Sequence, residues 1–154
     1  MQAYAALAKL PEPKGQQLDV ETLVRRAIAV EERLGVVVRP GPLVTVQADG
    51  DQLEQALINL IRNAADAVVE TDGGVVVGWT CERGWLELFV EDDGLGIANT
   101  ANLFVPFFTT KPGGSGIGLV LSRQIVEAHG GTLTLENRAD ARGCVGRLRL
   151  PVTR

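Results

Sequence analysis

The chain has 154 residues, a formal net charge of −4 and 45% hydrophobic residues, which together fit one globular domain with a packed core. The acidic balance and the lack of a basic stripe argue against a nucleic-acid partner. No apolar run has the length of a membrane span and the first residues do not form a signal peptide, so we expect a cytoplasmic domain without membrane contact.

The N-terminal third is predicted to contain a linker, a helix and a strand. Residues 1–17, which include two prolines, are interpreted as a linker, and residues 18–154 as the folded domain. Apolar residues at helical spacing predict a helix over 20–34, capped by Asp19. Residues 43–48 alternate as in a strand.

The remaining elements are helices and hairpins. We predict a helix over 51–69, a hairpin of 75–80 and 85–90 around a loop over 81–84, an irregular stretch over 98–116, a helix over 118–129 and a hairpin of 132–136 and 144–150. Because the strands pair mainly as hairpins, the expected fold class is α+β, a two-layer α/β sandwich. About three helices cover one face of a mixed, mostly antiparallel sheet, and the long irregular stretch is the expected lid.

The second predicted helix carries two asparagines on its polar face. Asn59 and Asn63 lie one turn apart and share that face with Gln55 and Asp66. Asn is not favoured inside helices, and an amide oxygen suits a hard cation such as Mg²⁺. The alternative is that both amides bridge to neighbouring backbone, and the helix by itself leaves the two interpretations equal.

An acidic, glycine-containing motif follows the predicted strand at 85–90. A carboxylate at Asp92 can accept a hydrogen bond from an amine such as that of adenine, and Gly94 and Gly96 let the backbone approach a flat ring and adopt positive φ. Asp-Gly is also a common turn pair, and taken alone this motif favours a plain turn.

Glycines then precede the third predicted helix. Gly114, Gly116 and Gly118 lie at its start, where backbone amides and the helix dipole attract phosphate. The P-loop pattern is absent. Just before them, Lys111 is interpreted either as a cation for the terminal phosphates or as a solvated side chain beside the aromatic cluster at 104–108.

The cysteines and the histidine carry no such pattern. Cys81 and Cys144 lack metal-ligand spacing and are predicted to be reduced, buried small hydrophobes. His129 is predicted to be structural, because no cluster of potential ligands flanks it.

Taken in order, the motifs resemble the catalytic, ATP-binding domain of bacterial sensor histidine kinases, nearest to the nitrogen-regulation type. That domain belongs to the superfamily of gyrase, the ninety-kilodalton heat-shock chaperone and the mismatch-repair ATPases. The resemblance spans about residues 51–151. The segments that carry it are DQLEQALINLIRNAADAV, VEDDGLGI, LFVPFFTTK and GGSGIGLVLSRQIVEAHGG.

The resemblance implies ATP and Mg²⁺ as cofactors. By position it implies Asn63 as the metal ligand, Asn59 beside the phosphates, Asp92 at the adenine, and Asn59, Asn63 and Lys111 as the catalytic residues. The implied nucleotide-binding set is Asn63, Asp66, Asp92, Gly94, Gly96, Ile97, Thr110, Lys111, Gly114, Ser115, Gly116, Ile117, Gly118 and Leu119.

One position separates the branches of the superfamily. Gyrase-like ATPases carry a Glu base where this chain has Asn59, and an amide takes no proton at neutral pH. The implied activity is therefore transfer of the γ-phosphate to a His, with slow hydrolysis. Asp66 is also typical of the ATPase branch, and Cys144 stands where the family often has Thr. A gyrase-type ATPase and a non-catalytic nucleotide-binding regulatory module remain the alternatives.

The resemblance also implies partners. No helical hairpin with a phosphoacceptor His is found in the sequence, and residues 5–14, within the linker, resemble the exit from the dimerisation domain that carries one. We expect a monomeric fragment that does not phosphorylate itself and whose parent protein is cytoplasmic or membrane-anchored. Its expected partners are the dimerisation domain of the same kinase and a downstream response regulator.

Overall fold

The computed structural model describes residues 10–31, 35–69, 71, 73–94, 118–139 and 142–152. The elements within these ranges, in chain order, are β1 Gln16–Asp19, α1 Val20–Ile28, β2 Val36–Arg39, β3 Thr45–Ala48, α2 Gly50–Val68, β4 Val75–Glu82, β5 Trp85–Asp92, α3 Gly118–Ala128, β6 Thr132–Asn137 and β7 Cys144–Pro151. The predicted lid over 98–116 lies outside the described residues. None of the described helices is long and apolar enough to cross a membrane.

Five strands form the main sheet, in the order β2-β4-β5-β7-β6. The β2–β4 pair is parallel and the other three pairs are antiparallel. The two remaining strands, β1 and β3, form a separate antiparallel pair. The expected mixed, mostly antiparallel sheet is confirmed, and so is the α+β class.

The core lies between the sheet and the helices. Side chains of β4 and β5 alternate along the strands, so that every second residue faces the helical layer, where α2 packs on both strands. The residues with almost no exposed surface include Leu53, Leu57, Ile61, Val75, Val77, Leu86, Leu88, Ile125 and Leu148. Burying each such side chain contributes about 1.5–3 kcal/mol, and this burial fixes α2 across the centre of the sheet.

The β4–β5 hairpin is longer and tighter than predicted. The strands run to Glu82 and Asp92, and the connecting turn has only two residues, Arg83 at φ 53° and Gly84 at φ 81°. Two positive φ values are typical of a type I′ turn, whose twist matches the strands. The predicted loop over 81–84 is therefore wrong, and the longer ladder places Asp92 opposite Val75 at its last pair.

The N-terminal third differs most from the prediction. The helix predicted over 20–34 ends at Ile28, and Val30 beyond it is 39% exposed. The strand predicted over 43–48 begins at Thr45, because Leu43 is 92% exposed and contributes nothing to the core. Strands β1 and β2 were missed, and the expected boundary between residues 17 and 18 falls inside β1.

Candidate functional site

Helix α2 provides the framework of the candidate site. Asp49 caps its start, since the side-chain Oδ1 accepts the backbone N–H of Gln52 at 3.1 Å. The apolar face of the helix packs on the sheet, so Asn59, Asn63 and Asp66 lie away from the sheet. The described residues on either side of the region 95–117, Gly94 and Gly118, both contact this helix.

Asp92 occupies an inward position at the end of β5. It follows Leu86, Leu88 and Val90 on the face that α2 and α3 cover, and only 6% of its surface is exposed. Oδ1 accepts the backbone N–H of Gly94 at 3.0 Å. Burial raises the pKa of the Asp92 carboxyl above its ordinary value, and the backbone N–H groups of Gly94 and Cys144 only partly oppose this.

Asp93 has a different role although it is the next residue. It is exposed, and its Oδ1 accepts the backbone N–H of Gly74 at 2.6 Å. Its own N–H donates to the Gly74 carbonyl at 3.3 Å. Asp93 therefore holds the turn between α2 and β4, which is the structural role expected of an Asp-Gly pair, while Asp92 faces the helices.

Two glycines allow the backbone around Asp92 to pack closely. A Cβ on Gly94 would lie 2.6 Å from the carbonyl oxygen of Ala67 on α2. Gly94 does not have the positive φ that the sequence analysis allowed for, so what it requires is close approach to the helix. Gly143 has φ +115°, and a Cβ there would collide with the Asp92 carbonyl.

Asn59 bridges α2 to the start of α3. Its Nδ2 donates to the carbonyl oxygen of Gly118 at 3.2 Å and to Oγ of Ser122 at 3.1 Å. Its Oδ1 accepts from Nε2 of Gln55 at 3.1 Å. Asn59 therefore joins the two helices, and this bridge places the first residue of α3 against the polar face of α2.

Asn63 and Asp66 lie between these two attachment points. Asn63 is half-buried and Asp66 is exposed, and both take part in interactions within the domain. Gly94 contacts α2 at Ala67, so the two attachment points, at positions 59 and 67, are separated by about 12 Å along the helix axis. A ligand on this face would be bounded by Asp92 at one end and by the start of α3 at the other.

Of the remaining residues in the predicted nucleotide-binding set, only Leu119 lies within the ranges that the structure describes. Leu119 is half-buried and packs against the core. The predicted site residues outside the described ranges are Gly96, Ile97, Thr110, Lys111, Gly114, Ser115, Gly116 and Ile117.

The histidine and the cysteines lie at the edges of this framework. His129 is structural in this geometry: Nε2 accepts the backbone N–H of Asp49 at 3.0 Å, and Nδ1 bonds the Ile125 carbonyl at 2.8 Å. Cys81 is only half-buried, so its expected burial was wrong. Cys144 is buried opposite Asp92, and burial together with the negative charge of Asp92 raises the pKa of its thiol to about 12.

Two residues of the site were missed from the sequence. Ser122 was not selected as a site residue from the sequence, yet it is 0% exposed and its hydroxyl is hydrogen-bonded. A hydroxyl in an apolar helical stripe is the signal that could have found it, because buried polar groups take partners. Gly143 gave no signal, since its role depends on the packing against Asp92.

The donor set fits Mg²⁺ better than a metal that needs a cage of protein ligands. Among the described residues, no group of three or more His, Cys, Asp or Glu side chains is placed to hold a metal. Mg²⁺ is ordinarily held by one or two protein oxygens together with phosphates and water. The amide oxygen of Asn63 and the carboxylate of Asp66, three residues apart on α2, are of that kind.

Comparisons with known proteins concern the family and the fold of the chain. A family model described as histidine kinase-, DNA gyrase B- and HSP90-like ATPase matches residues 48–154. The sensor protein FixL of Bradyrhizobium diazoefficiens is 41% identical over 110 residues, which cover 69% of this chain and 22% of FixL. The chain thus spans about a fifth of the length of that relative.

Solved structures of histidine kinases share the fold of this chain. The catalytic domain of the histidine kinase ThkA superposes with a TM-score of 0.79 at 28% identity, covering 91% of this chain and 97% of ThkA's domain. Full-length ShkA in complex with AMPPNP superposes with a TM-score of 0.84 at 25% identity, covering 98% of this chain and 34% of ShkA.

Proposed function

This chain belongs to the family of histidine kinase-, DNA gyrase B- and HSP90-like ATPases and is a catalytic domain of the sensor histidine kinase type. From that premise we propose that it binds Mg·ATP on the polar face of α2 and transfers the γ-phosphate to a histidine on a dimerisation domain. A response regulator would receive the phosphate next. The observation that carries the proposal is the bridging of Asn59.

Asn59 cannot act as a base that activates water. An amide has no basic site at neutral pH, and both hydrogens of its Nδ2 are donated to α3. Phosphoryl transfer depends on positioning and on charge neutralisation more than on a strong base. A bound ATP would therefore be held without brisk hydrolysis, which leaves the γ-phosphate for another acceptor.

We assign the other residues by their place on this surface. Asp92 would accept a hydrogen bond from the adenine amine, because its carboxylate is buried on the helix-facing side. Asn63, with Asp66 beside it, would hold Mg²⁺, which when bound neutralises charge on the phosphates. Gly118, at the first turn of α3, lies where helix amides can meet phosphate.

Binding is tested by calorimetric titration with a non-hydrolysable ATP analogue, with and without Mg²⁺. We expect Mg²⁺ to tighten binding to the wild type and Asn63→Ala to abolish that tightening. Gln47→Ala, which removes an exposed amide on β3, is the matched control and should retain it. Equal tightening in Asn63→Ala would remove Asn63 from the metal site.

Transfer is tested by supplying the parent kinase's dimerisation domain as a separate chain with γ-labelled ATP. We expect labelled dimerisation domain and little free phosphate. Brisk phosphate release without transfer would instead indicate a gyrase-type ATPase. Tight ATP binding with neither reaction would indicate a regulatory nucleotide-binding module.

A further inference from the structure

We propose that Ser122 is a positioning residue of the nucleotide site, which orients the Asn59 amide so that its oxygen faces a ligand. Ser122 acts through Asn59 and does not itself touch the nucleotide. The identity of the ligand rests on the proposed function, whereas the orientation of the amide rests on hydrogen-bond chemistry alone.

The hydroxyl of Ser122 has a fixed polarity. Its Oγ donates to the carbonyl oxygen of Ala56 at 3.3 Å, and a carbonyl oxygen can only accept. A serine hydroxyl carries one hydrogen, so towards Asn59 it can only accept. Because Ser122 is 0% exposed, no solvent competes for this arrangement.

The Asn59 amide must then present its nitrogen to α3. Two acceptors face it, the Gly118 carbonyl at 3.2 Å and the Ser122 Oγ at 3.1 Å. These groups lie one helical turn apart on α3, and the two hydrogens of Nδ2 serve one each. A flipped amide would place Oδ1 against the Gly118 carbonyl oxygen, where two acceptors repel each other and the hydrogen bond is lost.

The consequence concerns what Asn59 can bind. Both hydrogens of Nδ2 are already donated, so Asn59 can only accept further hydrogen bonds, through Oδ1. One lone pair of Oδ1 accepts from Nε2 of the exposed Gln55 at 3.1 Å, and the second lone pair remains for a ligand. Such an oxygen suits a water molecule bound to Mg²⁺, and it repels a bare phosphate oxygen. Asn59 is therefore assigned to the hydrated metal and not to direct phosphate contact.

Binding tests the assignment through a double-mutant cycle. The quantity is the gain in affinity for a non-hydrolysable ATP analogue when Mg²⁺ is added, measured for wild type, Ser122→Ala, Asn59→Ala and the double variant. We expect Ser122→Ala to reduce this gain about 2- to 12-fold, the range for one net hydrogen bond, and to leave metal-free affinity unchanged. In the Asn59→Ala background, Ser122→Ala should reduce the gain no further.

A purely structural Ser122 would behave differently. If Ser122 were only structural, Ser122→Ala would weaken analogue binding equally with and without Mg²⁺, or would reduce the Mg²⁺-dependent gain by the same factor in the Asn59→Ala background as in wild type. Either result would overturn the proposal. Trp79→Phe is the control for loss of a buried hydrogen bond elsewhere, since it removes the 2.8 Å bond from Nε1 to the Pro42 carbonyl. It should lower stability without changing the Mg²⁺-dependent gain.

Nuclear magnetic resonance of the ligand-free protein tests the orientation independently of function. We expect the side-chain amide hydrogens of Asn59 to exchange with solvent much more slowly than those of the exposed Gln47, and to exchange faster in Ser122→Ala. Exchange of wild-type Asn59 at the rate of Gln47 would contradict the orientation. If wild type binds no nucleotide, the proposed function fails, while the exchange rates still decide the role of Ser122.

Discussion

Replacing Asp92 by Asn separates binding from folding. The amide has nearly the shape of the carboxylate and keeps an oxygen for the Gly94 N–H at 3.0 Å. It replaces the other oxygen by a donor, which would face the adenine amine. Losing a hydrogen bond to a charged acceptor costs about 1.5–3 kcal/mol, so we expect ATP to bind about 10- to 150-fold more weakly.

Stability should respond in the opposite sense. Because burial raises the pKa of Asp92, the folded state prefers the protonated carboxyl. The stability of the wild type therefore falls as pH rises from the ordinary value of 3.8 through the raised pKa of the folded state. Asp92→Asn does not titrate, so at pH 7 it should be at least as stable as the wild type in urea unfolding.

The assay is calorimetric titration with a non-hydrolysable ATP analogue at pH 7. Asp93→Asn is the matched control, because that carboxylate is exposed and bonds the Gly74 N–H at the neighbouring turn. It should leave affinity within twofold of wild type, a margin of about 0.4 kcal/mol. Equal loss of affinity in both variants, or none in Asp92→Asn, would refute the assignment of Asp92 to the adenine.

Three further predictions concern the framework of the site. Gly94→Ala should lower the free energy of unfolding in urea by about 1–3 kcal/mol, since its Cβ would lie 2.6 Å from a carbonyl oxygen of α2, whereas Gly74→Ala, with nothing within 4 Å, should change it little. Asp49→Ala should lower the free energy of unfolding by about 1 kcal/mol at neutral pH, because it removes the cap of α2. The backbone N–H groups of the N-terminal segment and of α2 lower the pKa of Asp49, so this advantage of the wild type should vanish as pH falls from 3.8 through the lower folded-state pKa. A loss of stability that does not depend on pH would contradict this cause. At pH 8, an alkylating reagent should modify Cys81 in the folded protein and Cys144 only after unfolding, because the Cys144 thiol has a pKa of about 12; rapid modification of both thiols in mass spectrometry would disprove its burial.

The sequence predicted the elements whose periodicity is strong. Helix α2 was placed within one residue at each end, since its apolar face repeats over five turns. The positions of α3, β6 and β7 were also close. Helices α2 and α3 each bury an apolar face and β7 buries most of its inward residues, and burial is the signal that periodicity reports.

The missed elements lack that signal. β1 and β2 have four residues each, and none of their residues is fully buried. They are held by main-chain pairing with β3 and β4, which composition does not encode. The helix prediction over 20–34 was too long because it rested on helical spacing alone, while the structure ends the helix at Ile28 and leaves Val30 partly exposed.

The candidate site also has a part that the sequence predicted and a part that it did not. The order of the motifs that contain Asn59, Asn63 and Asp92, and the family resemblance that this order carries, selected these residues as candidates. Their partners were not predictable, because the contacts of Asn59 with Ser122 and of Asp92 with Gly143 join positions that are brought together only by folding.

The central claim is that one ligand contacts the polar face of α2, the end of β5 and the start of α3 together. Backbone amide resonances recorded while a non-hydrolysable Mg·ATP analogue is added test it most directly. We predict that the largest shifts among the described residues fall at Asn59, Asn63, Asp92, Gly94 and Gly118. Shifts concentrated instead on the opposite face of the sheet, around Glu87 and Arg149, would contradict it.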